Sequence, residues 1–333
     1  MLKSLLKSAA SLAALAAPLA LSGAAQAAGD YPSEPVELVC TTSPGSGAAA
    51  WCNMMAEELK KPDYLGVPVN VVFKSAGSNH EPVVYVANQP ADGYTIMHMS
   101  GSFPGYFNLP HFTKSYDDFQ IITRVEQTLY GIAVRCDDPD IKSWKDLAAY
   151  AKANAGELAM GSNKVGSIHH RHHVRIADDE NGAELRFVPY QGTGGVVKDV
   201  VGEHLRVGFA QPGKWNSHIE AGTICPILIL NEERLDHPLW KDVPSVPEVG
   251  MTYDIPHQWQ GFLVKKGTPN EIMDTLAENI KKVTQSDAYA AYMEQNPHVI
   301  PNFEDDRQKL SDDFYQALDD TRKFMIDNGM IDG

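Results

Sequence analysis

Basic side chains are scarce in this chain: 28 Lys and Arg stand against 43 Asp and Glu, a formal charge of −15. So acidic a surface repels nucleic acid and anionic membrane headgroups, which argues against a role built on binding either. Long hydrophobic runs are scarce too. The one apolar stretch of any length, residues 9–21, follows Lys3 and Lys7 and leads into Ala25-Gln26-Ala27, the A-x-A pattern that signal peptidase cuts. It falls short of the roughly 20 continuous apolar residues that a membrane-spanning helix needs, and no Cys stands at the cleavage point to accept lipid. Residues 1–27 therefore read as a cleaved signal peptide, and the mature protein is expected free in the periplasm. Losing Lys3 and Lys7 takes its charge to about −17.

Catalytic signatures are missing as well. There is no G-x-S-x-G elbow, no H-E-x-x-H and no Walker loop. Gly192-Thr193-Gly194-Gly195-Val196-Val197 only mimics a dinucleotide fingerprint, because Val197 stands where the third glycine would pack. A secreted enzyme is thus a rival reading, not the leading one, and no cofactor is expected. Cysteine is limited to Cys40, Cys52, Cys136 and Cys225, without C-x-x-C spacing. In an oxidising compartment these four allow three pairings; Cys136 with Cys225 is preferred, since both flank expected strands of one lobe, and four unpaired thiols are the alternative.

What is present is an alternation. Short apolar runs at 36–40, 67–73, 95–99, 131–134, 185–190, 225–230 and 261–264 are separated by helical patterns, the signature of an α/β fold whose sheets are covered by helices. Ser143 begins a helix whose Trp144, Leu147, Ala148 and Ala151 follow 3.6-residue spacing. Thr268-Pro269-Asn270-Glu271 supplies an N-cap, a proline at the first helical position and a capping-box acid. A last helix carries Leu310, Phe314, Leu318 and Met325 and ends near Gly329. So long a mature chain exceeds what one core usually organises, and with no flexible linker in the sequence two lobes joined by ordered strands are expected.

Four Gly/Ser/Asn-rich turns fall between a strand and a helix: 43–47, 76–79, 162–167 and 191–195. Each leaves backbone N–H groups free at a helix N-terminus, where the dipole adds about half a positive charge. Aimed at one cleft, they would hold a carboxylate inside an acidic protein. His169, His170, His172 and His173 form a second cluster, with ring spacing that suits zinc. No carboxylate or cysteine completes a tetrahedral set, so a polar helix face is the preferred reading and a zinc-binding receptor the rival.

At these turns the sequence resembles the substrate-binding receptors of tripartite tricarboxylate transporters, the Bug receptors. Tyr31-Pro32-Ser33-Glu34-Pro35-Val36 is similar to their mature start, Pro44-Gly45-Ser46-Gly47 to their first glycine loop, and Asp92-Gly93-Tyr94-Thr95 to their D-G-Y-T. Tyr116-Asp117-Asp118-Phe119 and Lys142-Ser143-Trp144-Lys145-Asp146-Leu147 follow. So do Gly166-Ser167 with His170, and Val188-Pro189-Tyr190-Gln191-Gly192. Last come Asp242-Val243-Pro244-Ser245-Val246-Pro247-Glu248-Val249-Gly250 and Gly267-Thr268-Pro269. The matches keep their order over nearly the whole mature chain.

The resemblance implies a two-lobed α/β periplasmic binding protein of type II-like form, with a ligand cleft between the lobes. It places lobe one at 29–129 plus 259–333 and lobe two at 130–258. The function it implies is capture of a small organic acid for the membrane subunits of a tripartite transporter, by a monomer without catalytic activity. Carried over by position, the first-lobe contacts are Ser43, Gly45, Ser46, Gly47, Ala48, Gly77, Ser78, Asn79, Ser100 and Ser102. Those of the second lobe are Ser162, Asn163, Ser167, His170, Tyr190, Gln191 and Gly192. The chain departs from the pattern at Ala49, where the family carries Asp, and in the 73–79 loop, where Phe73 and Lys74 alter size and charge. Loss of the Asp removes a partner for a ligand amine, so a ligand without an amino group is expected, a dicarboxylate or an aromatic acid.

Overall fold

A computed structural model describes residues 31–333; the signal-peptide assignment lies outside the described residues. Two sheets organise the chain. The first has six strands: β1 (Val36–Cys40), β2 (Val69–Phe73), β3 (Thr95–Ser100), β4 (Phe119–Thr128), β10 (Gln258–Lys265) and β11 (Val299–Glu304), in the order β11-β4-β10-β3-β1-β2. β1 lies parallel to β2 and β3, whereas β10 runs antiparallel between β3 and β4. The second has five: β5 (Gly131–Arg135), β6 (Ala159–Ser162), β7 (Arg186–Pro189), β8 (Val207–Ala210) and β9 (Ile224–Ile229), in the order β7-β6-β8-β5-β9.

Helices cover both faces of each sheet, as period-2 alternation demands. On β1, Val36, Leu38 and Cys40 point to the core under α1 (Gly47–Leu59) and α8 (Asn270–Thr284). Val39 points the other way, into a core shared with α2 (His80–Ala87), α3 (Phe103–Phe107) and α10 (Arg307–Asp327). α8 buries Met273, Leu276, Ala277, Ile280 and Val283, one stripe at helical spacing. In the second lobe, Ile132 and Val134 face α4 (Trp144–Ala153) and α5 (Ile168–Asp178). Ala133 faces α6 (Thr193–Val201) and α7 (Pro212–Glu220).

The chain crosses between sheets at 129–130, where β4 gives way to β5 after two residues, and again where the 230–257 segment returns to β10. These crossings are pinned: Leu129 N–H donates to His298 O at 2.8 Å and Leu230 N–H to Tyr130 O at 2.8 Å. Both disulfides form. Cys136–Cys225 ties the end of β5 to β9, and Cys40–Cys52 ties β1 to α1, a pair that strand adjacency in the sequence did not single out. One helix start differs by a residue from expectation. Pro269 itself is the N-cap of α8 and the Thr268 hydroxyl turns back to donate to Lys265 O at 2.9 Å, so no capping box forms.

Candidate functional site

The strand-to-helix turns of both lobes meet. Ser46 caps α1, its hydroxyl accepting from Ala49 N at 3.1 Å, and Ser167 caps α5 by accepting from His170 N at 3.2 Å. Asn79 precedes α2 in a left-handed conformation, and Gly192 precedes α6. Between them lies a cavity of about 30 Å³, room for one or two waters, framed by Thr41, Ser46, Asn79, Ser100, Lys164, Thr193 and Gln211. Gln258 and Tyr130, from the two crossings, also border it.

Glycine lets the lobes approach this closely. A Cβ on Gly105 would lie 1.8 Å from Gly166 O across the seam, and one on Gly192 would lie 2.4 Å from Ser43 Oγ. Cations of the second lobe bond to carbonyls of the first. Lys164 Nζ donates to Thr41 O at 3.1 Å, Arg171 to Gly101 O at 3.2 Å, and Lys214 Nζ to Gly45 O at 2.8 Å. Ile168 N–H donates to Ser102 Oγ at 3.1 Å, which adds a neutral bond to the same seam.

Of the residues expected to contact ligand, Ser46, Ala48, Asn79, Ser100 and Asn163 border the cavity. Ser43, Gly45, Gly47, Ser102 and Gly192 form the seam around it. The rest are placed otherwise. Gly77 is exposed, its carbonyl accepting from His111, and Ser78 follows it with positive φ. Tyr190 donates to Asp199 Oδ2 at 2.6 Å, Gln191 is exposed, and His170 stacks on Phe187 at 4.3 Å between ring centroids. Ser167 serves as the cap, while the buried Ser162 Oγ makes no protein hydrogen bond.

Sequence reading missed the buried groups under the loops. Thr41 donates to His98 Nδ1 (2.8 Å), His98 Nε2 donates to Gln260 Oε1 (3.0 Å), and Gln260 Nε2 donates to Glu126 (3.0 Å), which also accepts from Tyr289 (2.7 Å). The amide orientation of Gln260 fixes the His98 tautomer in this chain. Burial pulls His98 down to about 4 and pushes Glu126 up to about 8, so both stand uncharged at neutral pH. Among the described residues Lys164 is the only formally charged one bordering the cavity, and burial pulls it down to about 7. The basic group sits there, not at Lys74, whose ammonium turns away over the Tyr85 ring at 4.2 Å and toward Glu81 at 3.9 Å.

The histidine cluster divides among separate partners. His169 packs between Tyr130 and Phe209, His172 bonds to Tyr253 and to Pro256 O, and His173 lies against Phe187. Among the described residues no three of the four bring ligand atoms within 4.8 Å of one another. Cys40, Cys52 and His98 do come that close, but the two sulfurs are joined in a disulfide.

Two sheet-based lobes with two chain crossings and a polar cavity at the seam define a two-lobed solute-binding protein. The chain belongs to the tripartite tricarboxylate transporter receptor family, whose profile matches residues 52–323. Among relatives, protein BugT of Bordetella pertussis is 27% identical over 264 residues, 78% of each chain. A protein from the gbd 5′ region of Cupriavidus necator is 28% identical over 286 residues, 84% of each. Among solved structures the fold is similar to the periplasmic binding protein BugD, with TM-score 0.79 at 22% identity, covering 90% of this chain and 99% of that one. It is equally similar to an R. palustris protein solved with adipate, with TM-score 0.79 at 22% identity over 89% of this chain and 97% of that one. MatC from Rhodopseudomonas palustris, solved with malate, follows with TM-score 0.76 at 18% identity over 88% and 99%.

Proposed function

We propose that the chain is a periplasmic receptor that captures a small organic acid between its lobes and presents it to the membrane subunits of a tripartite transporter, as a monomer and without transforming it. One observation carries the reading: among the described residues the inter-lobe cavity is bordered by hydroxyls, amides, the His98 imidazole and a single ammonium, with no carboxylate among its lining groups. In a protein of formal charge −15 that composition suits an anion and little else. The relatives solved with adipate and malate support the same ligand class. The lobes would divide at 129/130 and 258/259. The contacts would come from the cavity and seam residues of the strand-to-helix turns.

Closure follows from differential contact. An acid touching both lobes gains in the closed state contacts it lacks in the open one, and only that difference shifts the population. The test is a thermal-shift screen of organic acids on the mature chain, followed by calorimetry. Binding to the folded form raises the melting temperature by mass action, so at least one carboxylic acid is expected to do so at millimolar concentration. A screen in which amino acids alone respond would sink the reading, as would chemical turnover of the bound acid.

A further inference from the structure

Lys164 is 3% exposed. Its ammonium meets two neutral acceptors, Thr41 O at 3.1 Å and Asn79 Oδ1 at 2.5 Å. An ammonium has three protons to donate, so one is left without an acceptor among the described residues. Glu81 influences it through space, and among the described residues no carboxylate borders the cavity beside it. A buried cation held by neutral groups alone is costly, and the missing interaction is that of an anion.

Three helix N-termini converge on the same cavity, through Ser46 ahead of α1, Asn79 ahead of α2 and Thr193 at the start of α6. Each contributes about half a positive charge at the helix end. Added to the ammonium, they exceed what one carboxylate neutralises.

We propose that Lys164 reads charge in this cleft: its ammonium takes one carboxylate of the bound acid directly while the helix N-termini of these turns hold the other, so the cleft favours acids with two carboxylates over acids with one. The inference rests on the acid-receptor reading above. Lys164 stands on the second lobe and reaches to Thr41 and Asn79 of the first, so a carboxylate on its third N–H joins a bridge that already spans the seam. A cavity of about 30 Å³ admits such an acid only as the lobes part, and the bridge re-forms around it on closure.

The experiment is titration calorimetry of the mature chain with two length-matched pairs: succinate with butyrate, and adipate with hexanoate. It uses the wild type, Lys164→Met and Lys164→Arg. In the wild type the dicarboxylate of at least one pair should bind more tightly than its partner. Lys164→Met should weaken that dicarboxylate about 100-fold and the monocarboxylate by no more than about 3-fold, the loss expected when one member of a buried charge pair is removed. Lys164→Arg should keep the preference. Methionine is unbranched and one atom shorter than lysine, and carries no charge, so folding should survive, as melting without ligand will show. Equal losses for both acids, or a dicarboxylate affinity left unchanged in Lys164→Met, would overturn the inference and leave the acid receptor standing. A wild type that binds monocarboxylates more tightly would do the same, whether or not the variants fold. A wild type that binds no acid of either kind in the wider screen would overturn both.

Discussion

At the scale of single residues, the site depends on what is small as much as on what is polar. Gly105 has no Cβ, and its backbone meets Gly166 O across the seam; a methyl there would sit 1.8 Å from that oxygen. The clash is between lobes, not within one, so parting the lobes relieves it. Gly105→Ala is therefore expected to cost less than about 1 kcal/mol of folding stability, yet to weaken ligand binding at least about 10-fold by disfavouring closure. Chemical denaturation and calorimetry on the same variant check the two halves. A variant that binds acid as tightly as the wild type would show that the closed seam is not the binding state. The buried polar chain from Thr41 to Glu126 was illegible at this scale beforehand, because His98, Gln260 and Glu126 lie on three strands far apart in sequence and nothing local marks them as neighbours.

At the scale of elements, α5 carries four imidazoles that the fold keeps uncharged. Burial pulls His170 and His173 down to about 4 and His172 to about 3, and it holds His169 well below the ordinary value. His98 and His298 are pulled down in the same way. Around α5, Arg171, Arg175 and His257 also oppose protonation of His172. Where the folded pKa is below the unfolded one, the unfolded chain binds more protons between the two, and stability falls as pH falls. The loss should begin near pH 6.5 and continue to about pH 4. Glu126 acts with the opposite sign over pH 4.5 to 8, since its proton is bound more tightly in the fold, but it is one group against six. The expected result is a melting temperature that drops steadily from pH 7 to pH 4.5; a flat profile would contradict the burial of these rings.

The Cys136–Cys225 disulfide gives a second expectation at this scale. It closes a sequence separation of 89 residues within the second lobe, and a cross-link of that span restricts the unfolded chain by about 4 to 5 kcal/mol in the chain-entropy picture. Replacing both cysteines by serine should lower unfolding stability by several kcal/mol, measured in urea. A loss below about 1 kcal/mol would show that β5 and β9 hold their register without it. The helical cover of the sheets was largely readable in advance, because amphipathic spacing such as that of α8 records which face is buried. Strands β4, β6, β8 and β11 were not; in β4 the polar Thr123, Glu126 and Thr128 stand at buried positions and interrupt the apolar pattern. β6 and β8 have only four residues each and β11 carries Pro301, too little pattern to separate them from loop.

For the whole molecule, a few cationic bridges join the two lobes. Arg171 and Lys214 each donate from the second lobe to a first-lobe carbonyl, at Gly101 and Gly45. Removing both donors, as Arg171→Met with Lys214→Met, withdraws contacts present only when the lobes meet. Small-angle X-ray scattering without ligand should then show a larger radius of gyration than the wild type, and a saturating acid should restore compactness. A double variant as compact as the wild type would show that neutral contacts, such as Ile168 N–H to Ser102 Oγ, suffice to hold the seam.

The sequence alone determined the α/β alternation, the strand-to-helix turns at 43–47 and 162–167, and the family to which the chain belongs. Each is written in residues adjacent along the chain, where spacing and turn chemistry act locally. Tertiary structure alone decided which of those turns face one cavity and which merely support it. It set Lys164 in the cleft while Lys74 turned outward, and it spread the histidines over separate packing partners. The physical reason is that charge, burial and closeness across the seam are properties of residues distant in sequence. Their energies exist only once two sheets and two chain crossings have brought them together.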